Sequence, residues 1–338
     1  MTGSLTYSHV FRAIAGLVVA GLALAPLLAE ASVLTVLTQF FSLLVLAMMW
    51  NLLAGYADIV SVGQHGFVGV GAYAMFGLTS VAAINPYLAL PLAGLVTLII
   101  AIPAMAIIFR LRTVYLAIGT WVVAEVMMLV AGKIPGLGLG SGASLPVAVA
   151  RGLGTNPADR FAAIYYLAFG LAVIAFVSMV FLLRSRIGLG LTAMRDNEEA
   201  AGAMGVNLLR TRILSFLWTA PFLGLAGAII TLQKLRVSPA ASFSMNDWTV
   251  FVIFIVVIGG IGSLEGPIIG TVLFFLLREY LAQLGTWYMM LLGALSIAVI
   301  LFEPRGLWGI VQRHTKFSIV PVSHHVSTGF AARHAAKP

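Results

Sequence analysis

Residues 88–109 read LALPLAGLVTLIIAIPAMAIIF, twenty-two positions without one charged side chain. About 20 such residues carry a helix across the hydrocarbon core of a bilayer. Working outward from this run, comparable apolar stretches lie at 10–29, 32–53, 113–131, 161–183, 213–233, 247–262, 266–284 and 286–302, with a glycine-interrupted one at 64–84. They are continuous rather than alternating, so the pattern of a β-barrel does not apply. The expected fold is an all-α polytopic membrane protein with about ten transmembrane helices, some of them broken by glycine. Composition agrees: of 338 residues, 61% are apolar and 9% charged, whereas soluble domains run near 45–50% and about 25%.

Ten spans put both termini on one side, and the positive charges say which. With the termini inside, the outer segments hold Lys133, Arg151, Arg160, Lys234 and Arg236, while Arg278 stays within a span. The other thirteen of the nineteen Lys and Arg fall inside, from Arg12 through Arg110, Arg112 and Arg184 to Lys337. Cytoplasmic loops carry the excess of Lys and Arg, so both termini are expected in the cytoplasm. The formal net charge of +8 belongs to such loops and to a basic tail over 305–338 suited to anionic lipid, not to nucleic acid. The first run, ending Ala29-Glu30-Ala31, reads as a retained first transmembrane helix over 1–31 rather than a cleaved leader.

The chain offers no chemistry of its own. It has no cysteine, and therefore neither disulfides nor thiolate metal sites. Gly132-Lys133 is followed by Ile134, so the phosphate-binding G-x-x-x-x-G-K-[ST] loop is absent. No catalytic residue, resident cofactor or metal site is expected, and the chain is not read as an enzyme. Ionisable groups near membrane depth are few: Asp58, His65, Glu125 and the Arg278/Glu279 pair. Glu125 sits mid-span, where a bare carboxylate is costly. It reads either as a polar group facing a pathway or as a hydrogen-bonded Glu holding helices together. These groups are too scattered for a proton relay, which leaves the energy to arrive through a partner.

One hydrophilic connection, 184–212, lies on the inner side. Within it, Arg195-Asp196-Asn197-Glu198-Glu199-Ala200-Ala201 leads to Met204-Gly205. Asp196 as cap with Glu199 three positions on resembles a capping box. Ala200, Met204 and Leu208 then fall on one face of a short amphipathic helix suited to a groove on another protein. Elsewhere, Gly63, Gly66, Gly69 and Gly71 precede one helical run, and Gly259, Gly260, Gly262 and Gly266 another. Broken backbone at membrane depth belongs where it is buried in protein or lines a cavity. Two such segments suggest related halves about a central pathway, with Gln64 and His65 the polar groups placed to meet a solute. Close helix packing through small residues is the alternative reading of the same glycines.

The run Glu199-Ala200-Ala201 with Gly205 resembles the E-A-A-x-x-x-G loop by which importer-type ABC permeases dock on their ATPase. Further strings are similar to the LivM-type permeases of branched-chain amino acid importers: Ser61-Val62-Gly63-Gln64, Gly69-Val70-Gly71-Ala72-Tyr73, Ser238-Pro239, Ile258-Gly259-Gly260-Ile261-Gly262-Ser263 and Glu303-Pro304-Arg305-Gly306. The resemblance spans roughly 30–310. It implies an ABC permease core over 32–304, with Arg195, Asp196, Glu198, Glu199, Ala200, Ala201, Met204 and Gly205 at the ATPase. It also implies Gly63, Gln64, His65, Gly69, Gly71, Glu125, Gly259, Gly260 and Gly262 along the solute pathway. Implied partners are a second related permease, two ABC ATPase subunits that hold the ATP and Mg, and a periplasmic solute-binding protein at a bacterial inner membrane. The expected solute is a branched-chain or other hydrophobic amino acid, against urea or a short amide on the same architecture. An ion-coupled carrier and a non-transporting scaffold are the other readings. The chain departs from the pattern at 136–145, which lacks the acidic residue of a T-G-G-S-D-G-like segment, and at Glu265, which stands where an aromatic residue is frequent.

Overall fold

A computed structural model describes residues 16–111, 113–138, 140–281, 283, 285–303 and 305–315. The start of the first span and the basic tail beyond residue 315 lie outside the described residues. The chain is helical almost throughout: α1 (Gly16–Leu28), α2 (Ala31–Tyr56), α3 (Gln64–Phe76), α4 (Pro86–Ile108) and α5 (Thr113–Ala131). Then come α6 (Val147–Leu153), α7 (Pro157–Arg184), α8 (Arg186–Asp196), α9 (Glu198–Ala203) and α10 (Leu208–Lys234). The rest are α11 (Pro239–Ser242), α12 (Phe251–Gly259), α13 (Gly266–Leu281), α14 (Thr286–Phe302) and α15 (Gly306–Thr315).

Each of the ten apolar stretches falls on a helix, but their lengths differ. Five helical segments are long and apolar enough to cross a membrane, or six if the pair 287–302 and 306–313, bent by 42°, forms one span. These five are α2, α4, α7, α10 and the helical stretch 239–259 that ends in α12. The glycine-interrupted stretch at 64–84 becomes the 13-residue α3 followed by a π-helical turn over Gly77–Val81. A second π-helical turn, Asn246–Val250, leads into α12. The protein is therefore an all-α, multi-pass membrane protein.

Local chemistry explains the boundaries. Asn85 accepts the Tyr87 backbone N–H at 2.9 Å and Pro86 opens α4, a pairing in which proline gives up an N–H that would have no partner. Helices α2, α3 and α10 form the interior: α10 packs on α2, α3 and α4, α2 packs on α7, and α3 packs on α5. Four buried hydroxyls of α2, α4 and α10 are satisfied within their own turns. Thr38, Thr97, Ser215 and Thr231 each donate to the carbonyl four residues back, which keeps polar atoms paired where no water is at hand. At one end of the bundle a two-residue strand β1 (Ala143–Ser144) pairs antiparallel with β2 (Arg236–Val237) and ties two connections together.

Candidate functional site

The connection expected to dock a partner is built from two short helices. Serine 185 opens α8, and the extended Asn197 (φ −163°, ψ 109°) closes α8 and opens α9. Its Oδ1 accepts the Ala200 N–H at 2.9 Å. The cap is thus Asn197 and not Asp196, because Asp196 is still helical as the last residue of α8. Gly205 then adopts φ +90°, and Leu208 begins a different helix, so Ala200, Met204 and Leu208 do not share one helical face. The anchor is Ala201, fully buried, while Glu199, Ala200 and Gly205 are exposed and Met204 is 75% exposed. What α9 presents outward is an acidic first turn and a methionine at its end.

Two arginines tie this loop to the bundle. Arg212, from α10, donates to Glu198 at 2.9 Å and to the Ala57 carbonyl at 3.2 Å, with Asp58 at 3.5 Å. Arg195 pairs with Asp196 at 3.0 Å, donates to the Gly262 carbonyl at 3.2 Å, and lies 5.5 Å from the Tyr56 ring centre. The loop thereby touches both the end of α2 and the turn between α12 and α13. A cavity of 860 Å³ opens where these meet, lined among others by Asp58, Arg195, Glu198, Gly262, Arg305 and Trp308.

The α12–α13 turn depends on glycine for its backbone. Gly260 has φ +126° and Gly262 φ +74°, values that a side chain makes costly. A residue that sequence reasoning did not single out holds it. Asn51, fully buried within α2, accepts the Gly262 N–H at 2.8 Å and donates to the Ser263 carbonyl at 2.7 Å. An asparagine embedded in the apolar run Met48-Met49-Trp50-Asn51-Leu52-Leu53 was the available signal, since a buried amide demands partners. Arg212 was likewise missed; only its position at the edge of the connection hinted at it.

The second group of expected residues meets at the start of α3. Gly63 and Gly66 lie where a Cβ would overlap the backbone of Thr120 and Ala124 on α5, Gly71 where it would overlap Gly224 on α10, and Gly69 against the Phe243 ring. These glycines bring helices into contact. Gly259 makes the same kind of approach to Gly266. Beside them, Gln64 donates to the Trp248 carbonyl at 2.7 Å, and His65 Nδ1 is 3.0 Å from the Thr249 hydroxyl. The Glu125 carboxylate accepts from Trp121 Nε1 at 3.0 Å and stands 3.9 Å from His65 Nε2. The structure therefore brings Gly63, Gln64, His65 and Glu125 together, and sets Gly259, Gly260 and Gly262 apart at the other turn. Among the described residues, no three His, Cys, Asp or Glu are grouped to hold a metal ion.

A multi-pass helical bundle with an exposed inter-helix loop wired into its core has the form of a permease. The family described as branched-chain amino acid transport system / permease component matches residues 32–300, and the chain belongs to it. It is 27% identical over 314 residues to the high-affinity branched-chain amino acid transport system permease protein LivM of Salmonella typhimurium, covering 86% of this chain and 73% of that one. The protein of the same name from Escherichia coli is 28% identical with the same coverage. A probable branched-chain amino acid transport permease protein LivH of Methanocaldococcus jannaschii is 25% identical over 285 residues, 77% of this chain and 86% of its own. No solved structure matches.

Proposed function

We propose that this permease is one membrane subunit of an ATP-driven importer of branched-chain or other hydrophobic amino acids. In this reading ten spans cross a bacterial inner membrane with both termini in the cytoplasm. A second related permease completes the pathway, two ATPase subunits bind ATP and Mg, and an external binding protein delivers the solute. The observation that carries the coupling part is the exposed α9, whose flanking arginines reach two separate helix junctions, Arg212 at Asp58 and Arg195 at Gly262. A partner that moves α9 moves both. The amino-acid substrate is supported by the names of the relatives.

The test is reconstitution of this chain with its companion permease, ATPases and binding protein in liposomes. ATP-dependent uptake of leucine, isoleucine or valine is expected. Uptake of urea or short amides alone would move the substrate to that class, and uptake driven by an ion gradient without ATP would replace the mechanism. A tag after Arg333 should be reached only from the cytoplasm and a cysteine at Ser144 only from outside, in keeping with the charge asymmetry of the loops.

A further inference from the structure

We propose that Glu125, with His65 beside it, is the station that holds the ammonium group of the amino acid in transit. This rests on the amino-acid reading above. Glu125 is the only charged residue between Thr113 and Ala131. It lies twelve residues from one end of α5 and six from the other, or roughly 18 Å and 9 Å along the axis. A carboxylate at that depth needs a polar or cationic partner. Among the described residues it has the Trp121 N–H and a histidine at 3.9 Å as partners, and its side chain is 37% exposed.

Two adjacent α3 residues have unused capacity. His65 and Gln64 are both more than nine-tenths buried, and His65 Nε2 and Gln64 Oε1 have no hydrogen-bond partner among the described residues. Their other polar atoms are fixed, Gln64 Nε2 on the Trp248 carbonyl and His65 Nδ1 at the Thr249 hydroxyl. With that hydroxyl accepting from Nδ1, the ring offers an acceptor at Nε2. The 3.9 Å between Nε2 and the carboxylate is too long for a hydrogen bond, yet one ammonium nitrogen about 2.8–3.0 Å from each can bridge it. An ammonium has three N–H donors and no acceptor. A carboxylate and an imidazole nitrogen are acceptors that match it. Urea, uncharged, would gain far less from the carboxylate, so the station favours a zwitterion.

The chain has no native cysteine, so a reporter thiol can be placed alone. Val122, one turn before Glu125 and 50% exposed, is changed to cysteine in the assembled importer. Alkylation is followed in membranes supplied with ATP and the binding protein. Leucine should slow labelling at least threefold, and 4-methylpentanoate, which lacks the ammonium group, should not. Adding Glu125→Gln should remove the protection and lower leucine uptake per assembled complex at least tenfold, with Glu125→Asp recovering part of both. If Glu125→Gln does not assemble, Glu125→Asp decides, because retained protection is then required. Uptake and protection unchanged in Glu125→Gln overturn the proposal. So does lost uptake with protection intact, which would make Glu125 a packing residue. Absence of ATP-dependent leucine uptake by the unaltered complex would instead sink the functional reading itself.

Discussion

At the start of α3 glycine lets helices touch, whereas at the α12–α13 turn it lets the backbone bend. Gly63, Gly66 and Gly71 sit in ordinary helical or near-helical backbone, and what they avoid is overlap with α5 and α10. Gly260 and Gly262 occupy positive φ, and hydrogen bonds from Asn51 and Arg195 converge on the residues around them. The first junction is held by contact, inside the apolar core, beside polar atoms that have no partner among the described residues. The second is held by directed polar bonds at the end of the bundle that meets the α8–α9 loop. Similar glycine patterns thus serve two purposes: close helix contact at one place, and at the other a bent turn that the proposed coupling would use as a lever.

Breaking the contact junction should have the largest effect. Gly71→Val drives a branched side chain into the Gly224 backbone, which cannot step aside, so the cost runs well beyond the ~1–3 kcal/mol of ordinary overpacking. The expected outcome is a large loss of folded protein, read by fluorescence-detected size exclusion in detergent. Next comes Asn51→Leu, which leaves the Gly262 N–H and the Ser263 carbonyl unpaired at roughly 1–3 kcal/mol each. The protein should still insert, with a lower melting temperature and ATP hydrolysis no longer matched by uptake. Normal coupling in that variant would detach the turn from the lever role. Gly262→Ala should cost about 1–2 kcal/mol through its positive φ and give the same uncoupling in milder form. Gly69→Ala is the mildest change, because it meets the Phe243 side chain rather than backbone, although that buried ring must shift to admit it. It should slow uptake at normal expression, and unchanged uptake would show that Gly69 neither lines the pathway nor sits at a sensitive contact.

Much of this was legible before any coordinates. Long apolar runs announce membrane helices because the bilayer sets their length, and each run falls on a helix where it is described, though only five or six segments are long and apolar enough to cross. The residues of the 184–212 connection were legible, but its geometry was not. The E-A-A segment fits a helix start, yet whether Asp196 or Asn197 caps it turns on one backbone bend that α8 imposes from upstream. Asn51 and Arg212 were illegible for a different reason. Their partners lie 211 and 154 positions away in the chain, at Gly262 and Asp58, and such pairings come from tertiary packing rather than local pattern. The glycines were visible, but the sequence could not tell a bend from a contact.

In the proposed importer, α9 is the point where the ATPase would grip. Glu199 is exposed in its first turn, where a carboxylate favours the helix N-terminus by about 0.3–1 kcal/mol, too little for its reversal to unfold the bundle. A cation placed in a partner contact can cost several kcal/mol there. The decisive measurement is co-purification of the ATPase with Glu199→Lys, alongside solute-stimulated ATP hydrolysis in liposomes, with Arg313→Ala as the control. Loss of partner binding and stimulation in Glu199→Lys, with Arg313→Ala close to the unaltered protein, is the predicted result. Full binding and full stimulation in Glu199→Lys would contradict the docking role of this loop.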